Sequence, residues 1–294
     1  FQEVEQMNLF KDMVCYQEEV RDPSRMAEVL NRVIEKAFRG SAPAQINVPR
    51  DYWTQVIDIE LPPIVRFERQ GGGKEAIENA AKLLSKAKFP VILSGAGVVL
   101  GGAIDECKKL AEKLDAPVCN GYQHNDSFPG SHPLAVGPLG YNGSKAAMEL
   151  ISKADVVLAL GTRLNPFSTL PGYGIDYWPK KATIIQVDMN PDRIGLTKKV
   201  SVGICGDAKQ VAQQILDKLS SDAGNTGREE RKNLIHKTKS AWLQTLSGLD
   251  HEEDDPGTVW NKEARERDKD RMSPRQAWRA VSYTHLTLPT TLSV

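Results

Sequence analysis

Three groups of residues in this 294-residue chain have types and spacing that suit chemistry. Gly95, Gly97 and Gly101 follow an apolar run, where a glycine turn can bring backbone amides up to a phosphate. Gly161, Thr162 and Arg163 follow a second apolar run, and the planar fork of an arginine there pairs with phosphate or carboxylate. Asp188 closes a third run, where open α/β sheets often hydrogen-bond a sugar hydroxyl, and Asp207 closes a fourth. Gly161, Thr162, Arg163, Asp188 and Asp207 are therefore the candidate nucleotide pocket.

Each group also has a structural reading. Leu100 stands where a dinucleotide fingerprint needs its third glycine, and the next apolar run ends at Asn120 instead of a ribose-binding carboxylate. The glycines are expected to serve a tight turn, which disfavours a free-standing NAD-dependent dehydrogenase. Arg163 either clamps an anion or pairs with Asp188. Asp188 either holds a sugar hydroxyl or forms the turn before Asn190 and Pro191. His124, Asp126 and His132 share one loop, but their spacing fits no standard ligand pattern, so no metal site is expected. No G-x-S-x-G, Walker loop or H-E-x-x-H is present.

The elements that must position these residues are legible from periodicity. Asp22 as cap, Pro23 and a stripe of Met26, Val29, Leu30, Val33, Ile34 and Ala37 predict a helix over 22–39, followed by a short strand at 44–48. Periodicity then lapses over 52–73, between Pro62-Pro63 and Gly71 to Gly73, which reads as a linker. Beyond it, helices at 74–87, 103–114 and 144–153 alternate with strands at 90–95, 117–119 and 155–161. A long polar loop is expected over 120–143. Strands at 183–188 and 200–206 and a helix carrying Val211, Ala212, Ile215 and Leu216 complete the set. Such alternation predicts an α/β fold, a doubly wound parallel sheet of about five or six strands. The first helix and strand read as the end of a second α/β domain before it.

Bulk properties narrow the function. Hydrophobic content of 40% and charged content of 26% allow a sizeable core, and 38 basic residues balance 38 acidic ones. No net field draws the chain to nucleic acid or anionic lipid, so neither is expected as a partner. The four cysteines form no C-x-x-C, and the three within apolar runs read as buried thiols of a cytoplasmic protein. No apolar run reaches membrane-spanning length. Residues 221–272 are strongly charged and read as a solvated linker, and Ser273-Pro274 opens a further helix over 273–281. The uncharged Thr/Leu-rich stretch 282–294 reads as a non-native tail. The chain is expected to be a fragment.

The ordered motifs resemble the thiamine-diphosphate enzymes of the acetolactate synthase type. They are Phe1-Gln-Glu3, the strand ending Ile46-Asn-Val-Pro-Arg-Asp51, Gly161-Thr-Arg163, and Asp188-x-Asn-Pro-x-x-Ile194-Gly followed by Gly206-Asp207. The resemblance implies three α/β domains, here the end of the pyrimidine-binding domain (1–51), a linker (52–73), a Rossmann-like central domain (74–220), a charged linker (221–272) and the start of the diphosphate-binding domain (273–281). Residues 121–133, Gly140-Tyr141 and 161–167 look most like the branch acting on sulfoacetaldehyde. That implies sulfoacetaldehyde and phosphate as substrates, sulfite and acetyl phosphate as products, and a homodimer or homotetramer. Thiamine diphosphate would act as the electron sink, with Mg²⁺ on its diphosphate. Phe1 and Gln2 would lie near the cofactor, while the other catalytic groups fall outside this sequence. Departures around Leu164-Asn-Pro-Phe167 make tightly bound FAD unexpected.

Overall fold

The computed structural model describes residues 3–63, 68–141 and 143–248. Phe1 and Gln2, and the expected helix at 273–281 and tail at 282–294, lie outside the described residues. The chain divides into two compact units, Phe1–Glu68 and Arg69–Val294.

In the smaller unit, helix α1 (Gln6–Phe10) precedes strand β1 (Tyr16–Glu19), helix α2 (Met26–Gly40) and strand β2 (Ala44–Asn47). The two strands pair in parallel, Tyr16 opposite Ala44, and α2 buries Val29 and Val33 beside Val20. The expected helix begins as a 3₁₀ turn, Pro23–Arg25, whose start is capped as anticipated: the Asp22 carboxylate accepts the Ser24 amide. Arg32 grips Glu18 through two bonds of 2.9 and 3.0 Å, tying α2 to β1.

The larger unit opens with α3 (Lys74–Lys86) and β3 (Pro90–Ser94), then α4 (Ala96–Leu100), α5 (Ile104–Leu114) and β4 (Val118–Asn120). Next come β5 (Ala135–Pro138), α6 (Lys145–Ile151), β6 (Val156–Leu160), β7 (Thr183–Asp188), β8 (Val202–Cys205), α7 (Ala208–Lys218) and α8 (Arg228–Gly248). Six parallel strands lie in the order β5-β4-β3-β6-β7-β8, the doubly wound α/β sheet that the alternation predicts. β3 and β6 are buried at every residue, as central strands covered on both faces should be.

The structure differs from the sequence expectation in two places. The loop expected over 120–143 contains β5, an edge strand whose Gly137 (φ +92°) and Pro138 an edge position tolerates. Residues 228–248, expected within a charged linker, form α8 instead. Its Arg231 is only 1% exposed, and the guanidinium donates to five backbone carbonyls: Asp115, Lys88, Thr226, Leu114 and Gly224. All five N–H groups of the fork are satisfied. Two of those carbonyls end α5, where the helix dipole favours a cation. Desolvation lowers the pKa of Arg231, yet the side chain keeps a full set of acceptors.

Candidate functional site

The strand order reverses between β3 and β6, since the chain runs from β3 out to β4 and β5 and returns through β6 to β7 and β8. The crevice outside the carboxyl ends of these two strands is where open α/β sheets take ligands. Gly161, Thr162 and Arg163 follow β6, Asp188 ends β7, and Asp207 follows β8. Topology thus brings the sequence-chosen residues to one edge of the sheet.

Backbone closes the crevice at its centre. The Gly97 amide donates to the Gly161 carbonyl at 2.8 Å, and the Gly95 amide to the Leu160 carbonyl at 3.1 Å. A Cβ on Gly97 would lie 2.7 Å from the Gly161 Cα, and one on Gly95 would lie 2.6 Å from the Thr162 Cβ. The glycines let two strand-end loops touch. The amide that would face a phosphate is already spent, and α4 behind it is only five residues long.

The remaining candidates hold loops. Thr162 is buried, and its hydroxyl accepts the Leu164 amide at 3.2 Å. The Asp188 carboxylate accepts the Asn190 amide at 2.9 Å, the turn-forming role. The Arg163 side chain is exposed, and among the described residues no ion pair joins it to Asp188. Asp207 is 2% exposed. One of its oxygens caps α7 through the Lys209 and Gln210 amides, at 3.1 and 3.2 Å. The other meets Arg69 at 3.3 Å, while Arg69 also donates to the Gly101 carbonyl.

Gln186 ties these loops together and is a residue the sequence reading passes over. It is 1% exposed in the middle of β7. Its amide nitrogen donates to the carbonyls of Thr162 and Arg193, each at 3.1 Å, and its oxygen accepts the Gly195 amide at 2.9 Å. The signal was available as one polar residue inside the run Thr183-Ile-Ile-Gln-Val. A buried amide in a central strand must find partners, and here they are the loops after β6 and β7.

Among the described residues no three His, Cys, Asp or Glu side chains cluster so as to hold a metal. His132 instead meets Glu112 at 3.3 Å and packs edge-on against Phe128. The motif stretches 121–133, 140–141 and 161–167 do converge, though on aromatic side chains. Tyr122 stacks on Phe167 with centroids 6.3 Å apart and meets Tyr141 edge-on at 6.5 Å. Their backbones are locked together: the Tyr141 amide donates to the Phe167 carbonyl at 3.0 Å, and the Tyr122 amide to the Ser168 hydroxyl at 3.0 Å.

A parallel sheet of this order, with glycine backbone meeting across the crevice at its centre, defines a doubly wound α/β domain, and comparison with known proteins finds that class. Residues 77–215 match the family model described as thiamine pyrophosphate enzyme, central domain. A benzoylformate decarboxylase from Polynucleobacter necessarius shares the fold at TM-score 0.65 and 23% identity, over 76% of this chain and 42% of that one.

More particularly, the chain is similar to sulfoacetaldehyde acetyltransferases. It is 78% identical to a probable one from Rhizobium meliloti (strain 1021), over 96% of this chain and 48% of the relative. It is 76% identical to one from Roseovarius nubinhibens, over 96% of this chain and 47% of the relative. Identity falls to 33% with a probable acetolactate synthase large subunit from Methanocaldococcus jannaschii, over 85% of this chain and 41% of the relative. The chain therefore spans about half the length of the curated relatives it matches.

Proposed function

We propose that this chain is the middle portion of a thiamine-diphosphate-dependent acetyltransferase. The whole protein would convert sulfoacetaldehyde and phosphate to acetyl phosphate and sulfite. The observation that carries this reading is the 78% identity, sustained over 96% of the chain, to a relative named for that activity. The cofactor, when bound, supplies an electron sink for cleaving the substrate's carbon–sulfur bond. Its contacts, and those of Mg²⁺, belong in this reading to parts outside the described residues. Phe1 and Gln2 are the two positions in this chain assigned to its surroundings, and no step is routed through the side chains described above.

The task of residues 69–248 is then architectural. Asp207, Gln186 and the Gly97–Gly161 contact fix the loops at the carboxyl edge of the sheet. Residues 1–51 belong in this reading to the end of the pyrimidine-binding domain and 273–281 to the start of the diphosphate-binding one. A homodimer or homotetramer in the cytoplasm is the proposed working form. The test is a release assay on the full-length protein. Sulfite and acetyl phosphate formed from sulfoacetaldehyde, with thiamine diphosphate and phosphate both required, is the expected result. Acetolactate formed from pyruvate without sulfite release would assign the protein to the other branch.

A further inference from the structure

A cavity of about 270 Å³ lies between α6 and α8. Leu150 on α6, Ile175 and Leu234 on α8 give it an apolar lining, with Thr238 of α8 beside them. Glu149 of α6 and Lys153, just past the end of that helix, complete the rim.

The walls are anchored, so the space is not a product of loose packing. Helix α8 is pinned on both sides of it. Before Leu234, Arg231 is locked by its five carbonyls. After Thr238, Lys239 donates to the Pro133 carbonyl at 2.7 Å, and Trp242 packs edge-on against Tyr173 with centroids 5.5 Å apart. The wall carrying Ile175 is a tight turn, closed by the Ile175 amide on the Gly172 carbonyl at 2.9 Å. Tyr173 and Gly174 at its tip are both left-handed, at φ +53° and +70°. The Tyr173 hydroxyl then donates to the Gly143 carbonyl at 3.0 Å, just before α6. With three walls fixed the gap does not collapse, and its lining atoms lack the neighbours that a close-packed interior supplies.

Two polar groups indicate what fits. Thr238 is only 8% exposed, yet its hydroxyl has no hydrogen-bond partner among the described residues. Thr245 on the same helix spends its hydroxyl on the Ala241 carbonyl one turn back, at 2.9 Å. A buried hydroxyl without a partner is costly, and a ligand removes that cost. Lys153 likewise makes no ion pair among the described residues, whereas Glu149 lies 3.8 Å from Lys145. The groups short of a partner are thus a hydroxyl and an ammonium, and a carboxylate accepts from both. The space equals roughly nine water molecules of liquid volume, room for a carboxylate of about six carbons.

We propose that the cavity between α6 and α8 binds a short branched aliphatic carboxylate. Its chain lies against Leu150, Ile175 and Leu234, and its carboxylate takes Lys153 and the Thr238 hydroxyl. The inference is independent of which reaction the full protein performs.

Saturation-transfer NMR of isocaproate with the 294-residue chain tests it, beside Lys153→Gln, Thr238→Val and Leu234→Trp, the last of which fills the cavity. The expected result is saturable one-to-one binding below about 20 mM in the parent. Lys153→Gln and Thr238→Val should each weaken it about fivefold, and Leu234→Trp should abolish it while hydrogen exchange in β3, β6 and β7 is unchanged. Lys153 is exposed, so Lys153→Gln remains informative if Leu234→Trp fails to fold. No saturable signal in the parent would overturn the proposal, as would equal affinity in the parent and Lys153→Gln. So would isohexanol binding as tightly as isocaproate, since the site would then take the chain without the carboxylate.

Discussion

Gly97 and Gly161 stand backbone to backbone, 2.8 Å from amide nitrogen to carbonyl oxygen, with Gly161 at φ +61°. That contact joins the loops after β3 and β6 at the point where the strand order reverses. It explains the glycine spacing without a ligand. Gly161→Ala must both adopt a left-handed backbone and push a Cβ to within 2.7 Å of the Gly97 Cα, so it should cost about 2–4 kcal/mol in stability. Gly130, where an added methyl would meet nothing within 4 Å, is the control, and Gly130→Ala should stay within about 0.5 kcal/mol. Urea denaturation of the two variants beside the parent measures the difference.

Arg231 is the next most sensitive position. Arg231→Lys offers three donors to five carbonyls and leaves at least two buried acceptors unmatched. A loss of about 3 kcal/mol or more is expected, with α8 exchanging its amides faster than β3 and β6. A change below about 1 kcal/mol by denaturation would mean that water takes over those carbonyls.

The smaller unit should lose support in acid. Two hydrogen bonds from Arg25, at 2.8 and 2.9 Å, with Arg32 adding its charge, hold the Glu28 carboxyl at about 2, against an ordinary value of 4.5. The folded value is depressed, so the stabilisation is fully present above about 4.5 and is lost as pH falls from there through about 2. A Tyr16 hydroxyl 2.7 Å away and the Arg32 pair lower Glu18 as well, so it weakens in the same direction. Carboxyl NMR titration should place both groups below ordinary glutamates, and Glu28→Gln should flatten the acid limb of a stability–pH curve.

Cysteine chemistry should divide by depth. Burial pushes the Cys107 thiol up to about 12 and Cys119 higher, so neither forms thiolate near neutral pH. Cys15 is exposed and Cys205 half-buried. Iodoacetamide at pH 8 followed by peptide mass mapping should label Cys15 first, and Cys107 and Cys119 only after unfolding.

Much of the fold was legible because apolar periodicity and packing coincide. β6 is a continuous apolar run, β7 is apolar apart from Thr183, Gln186 and Asp188, and α3, α5 and α7 carry single apolar stripes that the structure buries. α8 was not legible for a specific reason. Its inward face is Arg231, Ile235 and Thr238, with Trp242 half-buried, so the stripe has helical spacing but opens with a charge. Only the ring of carbonyls around Arg231 reveals that the charge points in. β5 was hidden by Gly137 and Pro138, which argue against a strand anywhere except an edge.

At the candidate site, sequence placed the residues at the right strand ends and left their roles open. Asp188 was read as either a sugar ligand or a turn former, and its bond to the Asn190 amide is the second of these. Asp207 is spent on the α7 cap and Arg69, which spacing alone could not reveal. The aromatic convergence joins Tyr122, Tyr141 and Phe167 across three loops, and such distant pairings depend on strand order.

We propose that the carboxyl edge of this sheet is a closed scaffold and not a nucleotide cradle. Titration calorimetry of the 294-residue chain with ADP, CoA and FAD in turn tests it most directly. No binding heat is expected for any of the three up to millimolar ligand. Saturable one-to-one binding that is lost in Asp188→Asn or Arg163→Gln would contradict it.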